Sequence, residues 1–381
     1  MTTVVISPFM TLNFLEGGGH FWVYLQYVQG LRQAGCDVYW LEQLPEKRPR
    51  PEPAKVEAWL ERLREYGLGD KVILATGAGA DGGRRYVTTT GASADAVFAG
   101  ADLLLNFHYA IDADLLAAFR RTALVDIDPG LLQMWMSAGQ VRVAPHDVYL
   151  TTGETVGTPR ARFPDCGLEW HHIRPPVSLD LWPYTFDPNC EAFTTVTDWW
   201  SGWAPEFVDG RQVLYDNTKR VAFLAFAELG RLTPQPLELA VYLADGDSDD
   251  RRLLEGHGWR VRHSAEVSST PARYRDYIQR SRGEISCVKP SCIKLQNAWI
   301  SDRSLCYLAS GKPVVVQDTG PSDYLPGGDG FFRFSTPDQA AAALAIVNAD
   351  YEGHCRAARQ LAETHFDARR TAERILNLSL A

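Results

Sequence analysis

Short runs of β-branched and apolar residues alternate with segments of helical periodicity along this chain, and no other feature constrains its fold as much. In the first half the runs are TVVIS (3–7), DVYWLE (37–42), KVILAT (71–76), DLLLNF (102–107), TALVDID (122–128) and DVYLTT (147–152). In the second half they are AFTTVTDWW (192–200), LELAVYLA (237–244), GWRVRH (258–263), GEISCV (283–288), KPVVVQ (312–317) and GFFRFS (330–335). Nearly continuous apolar runs of this kind suit central parallel strands covered on both faces. Between the first two runs, Phe21, Tyr24, Leu25, Val28 and Leu31 recur at helical spacing, and Gly35 stops the pattern. The opening is therefore a right-handed strand–helix–strand unit. Around 164–190 the periodicity lapses into a proline-rich stretch, which reads as an interdomain connection. The expected architecture is α/β, with two Rossmann-like domains (1–180 and 190–381) facing each other across a cleft. Helices close the chain, and the last of them is expected to pack back on the N-terminal domain.

Length and composition agree with that picture. A chain of 381 residues, 45% hydrophobic and 22% charged, has material for two cores. A net charge of −9 argues against nucleic acid as the main partner, although a few local Lys and Arg suffice for a small anionic ligand. No apolar stretch approaches the roughly 20 residues of a membrane helix, and MTTVVISPFM does not read as a secretory signal. The seven cysteines are an odd number with no C-x-x-C pair, which predicts reduced thiols and a cytoplasmic protein.

In doubly wound sheets, ligands gather beyond the strand C-termini, and the candidate residues follow from that rule. In EGGGH (16–20), Gly17, Gly18 and Gly19 let backbone approach a ligand, and the following helix offers free N–H groups. The spacing is not that of a dinucleotide site, and Glu42 does not rescue it. His20 opens the helix and is either a general base for an acceptor hydroxyl or a loop cap. Its candidate acid partners are Asp112, Asp126 and Asp128, which follow strand ends, whereas Asp102 begins a strand and lies at the wrong edge. DIDPG (126–130) also reads as a plain turn with Pro129 opening a helix. His108 lies in the same band as His20.

In the second half, TDWWSGW (197–203) ends a strand, and Trp199 is expected to stack on a base or sugar ring or to close the interdomain seam. Lys219 and Arg220 open a helix, and Lys289 and Lys294 follow another strand; all are candidates for phosphate charge. In SDRSLCYLASGKPVVVQDTG (301–320), Ser301 or Asp302 caps a helix whose Arg303 and Ser304 amides point at a diphosphate. Arg303 adds a guanidinium, and Asp318, Thr319 and Gly320 form a loop able to meet sugar hydroxyls.

The LASGKPVVVQDTG run, the glycine-rich first segment and the terminal helices resemble glycosyltransferases of the GT-B fold. More narrowly, the 301–340 stretch is similar to a bacterial family of family-1-type glycosyltransferases. GGGHFWVYLQYVQGLRQAGCDVYWLE and TTVTDWW carry the same likeness, so the resemblance spans both halves. It implies a nucleotide-diphosphate sugar in the C-terminal domain, an acceptor on the N-terminal one, and neither a metal nor a separate cofactor. Lys219, Arg303 and the amides after Ser301 match the diphosphate role, and His20 matches the base of inverting members. Retaining members carry two glutamates eight residues apart; here those positions are Ala298 and Cys306, and Asp302 is the nearest substitute. Three functions are compatible with this: a small-molecule glycosyltransferase, with natural products as candidate acceptors; a nucleotide-sugar epimerase; or a nucleotide-sugar-binding protein without catalysis.

Overall fold

The computed structural model describes residues 1–44, 51–78, 84–209 and 211–381. Two sheets organise it. The first contains β1 (Thr3–Ser7), β2 (Asp37–Gln43), β3 (Val72–Ala78), β4 (Arg84–Thr88), β5 (Leu103–Asn106), β6 (Thr122–Asp126), β7 (Val148–Thr151) and β8 (Trp170–His172). Their order is β4-β3-β2-β1-β5-β6-β7-β8, parallel except for β4. The second-half strands are β9 (Phe193–Thr197), β10 (Trp203–Val208), β11 (Arg211–Asp216), β12 (Leu237–Val241), β13 (Trp259–His263), β14 (Gly283–Ser286), β15 (Val314–Gln317) and β16 (Phe331–Phe334). Six of them form a parallel sheet ordered β13-β12-β9-β14-β15-β16. In each sheet the strand order reverses beside the first strand, which opens a crevice at the C-terminal ends.

All the predicted runs contain strands. Three features were not anticipated. β4 (RRYVT) is a partly exposed antiparallel edge with no apolar run. β8 adds a short edge within the proline-rich connection. β10 and β11 form a separate antiparallel hairpin directly after TDWWSG, with Pro205 inside it. Proline is tolerated there because a two-stranded ribbon leaves free edges.

The glycine triplet has a different role from the predicted loop. The helix begins at Gly18, with Gly17 as its N-cap, so Gly18 and Gly19 occupy its first turn. This turn presses on the C-terminal domain. A Cβ at Gly18 would overlap the carbonyl of Thr270, and one at Gly19 would come within 2.7 Å of the Tyr274 ring. One turn on, Trp22 Nε1 donates to the Pro271 carbonyl at 2.9 Å. The largest hydrophobic cluster therefore runs unbroken from β1 and this helix to Tyr274, Leu305 and Tyr307 across the seam. Gly18→Ala is expected to cost about 1–3 kcal/mol, because a backbone carbonyl cannot step aside as a flexible side chain would. Urea midpoints measure the loss. Gly100→Ala, where a methyl meets nothing, is the control.

The final helix, Ala368–Leu380, packs against helix Gly18–Gln33, with Gly30 admitting the Ala368 carbonyl. A second tie closes the far side: the Glu154 carboxylate accepts from Ser322 Oγ (2.6 Å) and Asp323 N (2.5 Å), and Arg160 pairs with Asp323.

Candidate active site

A cleft of about 700 Å³ lies between the two sheets at their C-terminal edges. Its N-terminal wall comes from the loop after β1 (Phe14, Glu16, Gly17), the first helix (Gly19, His20, Val23) and the loop after β6 (Ile127, Asp128, Pro129). Its C-terminal wall comes from the ends of β9, β12, β13 and β14 and from the start of helix Asp302–Ala309.

His20 is held by the loop before it. Its Nε2 lies 2.7 Å from the Phe9 carbonyl, which can only accept, so Nε2 carries the proton and Nδ1 keeps a lone pair. Phe14 and Tyr24 meet the ring edge-on at 5.7 and 5.2 Å. Desolvation lowers the His20 pKa from 6.5, while the Phe9 contact and the charge of Asp128 act in the opposite direction. Asp128 accepts from Tyr109 Oη at 3.1 Å. It therefore favours an imidazolium once a proton has arrived, without holding His20 charged beforehand.

Across the cleft the sign changes. Lys219 is the first residue of its helix and is 9% exposed. Desolvation, reinforced by the charges of Arg303 and Lys289, pushes its pKa down to about 7. Lys289 N-caps the helix Pro290–Leu295 and lines the same wall. Among the described residues neither lysine has an ion-pair partner. Two such cations converging on one cavity form a site that an anion would complete. Asp302, also lining the cleft, has its pKa raised by desolvation.

This architecture matches solved structures over the whole chain. HepE from Anabaena in complex with UDP superposes with a TM-score of 0.58 at 12% identity, covering 99% of both chains. The fold is GT-B. Sucrose-phosphate synthase from Thermosynechococcus elongatus gives a TM-score of 0.56 at 12% identity, covering 99% of this chain and 98% of the other. AviGT4, a glycosyltransferase involved in avilamycin A biosynthesis, gives 0.53 at 14%, covering 99% and 96%. No protein-family model matches the sequence, and no curated protein matches it.

Within the GT-B cleft the structure gathers Gly17, Gly19, His20, Asp128, Lys219, Lys289, Ser301, Asp302 and Arg303. Ser301 does cap its helix, accepting from Arg303 N at 3.3 Å. Other candidates are corrected. Arg303 is not free for a phosphate: it pairs with the fully buried Glu284 at 2.7 Å and also donates to Val196 O (2.9 Å) and Ser286 Oγ (2.7 Å). Asp112 caps a short helix through Asp114 N and pairs with Arg84, away from the cleft. Asp126 is fully buried behind Asp128, accepting from Gln133 Nε2, Thr151 Oγ1 and Asp128 N, each at 2.9 Å; it shapes the loop and meets no substrate. His108 is buried against Phe9, and Gly18 faces Thr270.

Trp199 is wholly buried, with Nε1 donating to Asp250 at 3.0 Å, so it is core and cannot stack on a ligand. Ser304 lies buried on helix Asp302–Ala309, outside the cleft lining. The loop after β15 braces the cleft from behind: Asp318 accepts from Gly320 N (3.0 Å), Thr319 Oγ1 donates to Trp299 O (2.7 Å), and Gly320 turns at φ +115°. Arg220 is committed to Asp250 and Lys294 to Glu206. Cys306 is sealed under the first helix, with Gln26 Nε2 at 3.7 Å from its sulfur, so no ribose reaches that position.

Tyr242 and His263 were missed. Tyr242 directly follows β12 and His263 ends β13; both line the cleft, and their rings meet edge-on at 5.3 Å. The rule that parallel-strand C-termini face the crevice points to both.

Proposed function

We propose that this chain is a glycosyltransferase that moves a sugar from a nucleotide-diphosphate sugar to a hydroxyl of a small-molecule acceptor, with inversion and without a metal. The observation that carries this reading is the opposition of Lys219 and Lys289, which have no ion-pair partner among the described residues, to a neutral His20 across one GT-B cleft. HepE was solved with UDP and glucose together; in this chain we assign the diphosphate to the two lysines that line the cleft. Tyr242 and His263 offer ring edges to the nucleobase, and Asp302 offers a carboxylate to hydroxyls of the donor. The acceptor oxygen attacks the anomeric carbon while its proton passes to His20 Nδ1. The bond from that carbon to the diphosphate oxygen breaks, and the lysines take the charge that a metal would otherwise neutralise. AviGT4's role in avilamycin A biosynthesis makes natural products the acceptors to try first. Seven free thiols fit a reducing compartment, and we assign the cytoplasm on that ground; no described helix is long and apolar enough to cross a membrane.

Incubation with a panel of nucleotide sugars and acceptors tests the reading. Transfer supports it, sugar isomerisation replaces it with an epimerase, and tight nucleotide binding without turnover replaces it with a binding protein. Lys219→Met is expected to weaken nucleotide-sugar binding about 10–100-fold, the worth of one charge-assisted contact. The pH dependence has a definite sign. The empty site loses the Lys219 charge as pH rises through about 7, so affinity falls above that point. Binding there takes up a proton, detectable by calorimetry in buffers of different ionisation enthalpy. Lys219→Met abolishes that uptake.

A further inference from the structure

We infer that the acceptor is an alcohol or phenol with an apolar body and no anionic group; this inference rests on the glycosyltransferase reading and narrows its substrate. The wall around His20 is apolar where it is not acidic. Phe14 is 50% exposed, and Val23, Ile127 and Leu131 continue its surface along the cleft. The charged side chains on that wall are Glu16 and Asp128, both carboxylates, and among the described residues no Lys or Arg of the N-terminal domain lines the cleft.

Among the described residues, the basic side chains that touch the Phe14 loop are held by backbone carbonyls. Lys55 Nζ donates to the Asn13 carbonyl at 2.8 Å, and Arg62 donates to the carbonyls of Leu15 and Ser269. They fix the loop, so among the described residues this wall presents no cation to an acceptor. A phosphate or carboxylate beside His20 would therefore lose hydration against apolar groups and face two like charges. Lys219 and Lys289, without ion-pair partners among the described residues, stand on the opposite wall, where the donor diphosphate would neutralise them.

The apolar surface also continues outward. Ser201 lines the cleft, and the tryptophans on either side of it, Trp200 and Trp203, are 53% and 64% exposed. Trp203 opens β10, which packs against helix Leu131–Ser137, and Leu131 is itself part of the cleft wall. A body larger than a sugar would thus meet aromatic faces at the rim.

Calorimetry on the full chain saturated with UDP provides the test. The two probes are 4-methylumbelliferone, kept below its own pKa, and glucose 6-phosphate. The neutral phenol is expected to bind at least about tenfold more tightly, and Phe14→Ala to erase most of that preference. Equal or tighter binding of the sugar phosphate overturns the inference, as does a phenol that fails to bind. Nucleotide affinity, read in the UDP titration that precedes saturation, separates the two ideas. A chain that binds no nucleotide sinks the glycosyltransferase reading, whereas one that binds nucleotide but prefers the phosphate sinks only the acceptor class.

Discussion

His20→Ala is expected to lower kcat by about 10²–10⁴-fold, the range for a lost general base, while nucleotide-sugar affinity stays near the wild-type value. Binding and turnover separate because the donor anion is assigned to the opposite wall, whose lysines do not depend on the imidazole. The pH profile supplies the sharper check. His20 must be neutral to take a proton, and burial lowers its pKa from 6.5, so kcat/KM should climb through a limb below that value. Lys219 must be charged, so the free enzyme should lose kcat/KM for the donor as pH rises through about 7. The two limbs leave a narrow optimum. In kcat the alkaline limb should move upward, because bound diphosphate restores the lysine's preference for its proton. His20→Ala should erase the acid limb and spare the alkaline one. An acid limb that survives in the variant removes His20 from the mechanism.

Arg303→Met is expected to destabilise the chain by about 3–5 kcal/mol, the cost of leaving one member of a buried ion pair alone. Arg303 and Glu284 are 9% and 0% exposed in their side chains; Arg303 donates to Glu284 Oε1, and Glu284 Oε2 has no hydrogen-bond partner among the described residues. Removing the guanidinium strands a carboxylate in the core of the C-terminal sheet. The paired variant Arg303→Met/Glu284→Met removes both charges and should recover most of the loss. Urea midpoints of the two single variants and the double variant measure this. A stable Arg303→Met protein whose nucleotide affinity collapses would return Arg303 to the phosphate site that SDRS suggested in sequence.

Arg303 also illustrates what a sequence conceals. A guanidinium at the first turn of a helix beyond a parallel strand fits a phosphate ligand by every local criterion. The groups that claim it, Glu284 and Ser286, lie on β14, one crossover away. Lys219 presents the same local appearance, yet among the described residues no carboxylate forms an ion pair with it, and Glu284 is already taken by Arg303. Which of the two is free depends on strand packing and not on either residue's own neighbourhood. Trp199 follows the same logic: TDWWSGW shows an aromatic cluster at a strand end, but only packing decides that Trp199 faces Asp250 and Phe223 while Trp200 and Trp203 face solvent.

The sequence by itself determined the alternation of strands and helices, the two α/β halves and the edge at which ligands gather. These follow from short-range periodicity, strand propensity and the handedness of crossovers. It also picked out His20, Lys219 and Asp302, because each stands immediately after a strand or at the start of a helix that meets that edge. Only the tertiary structure decided what the glycines of EGGGH are for. Their spacing suggests a ligand loop, but Gly18 and Gly19 lie inside a helix, where the missing Cβ atoms admit Thr270 and Tyr274 from the other domain. The two contacting segments are some 250 residues apart in the chain, as the Trp22–Pro271 hydrogen bond records with its separation of 249. Close approach over such a distance leaves no periodicity or spacing in the sequence, since it is set by how two finished domains fit together.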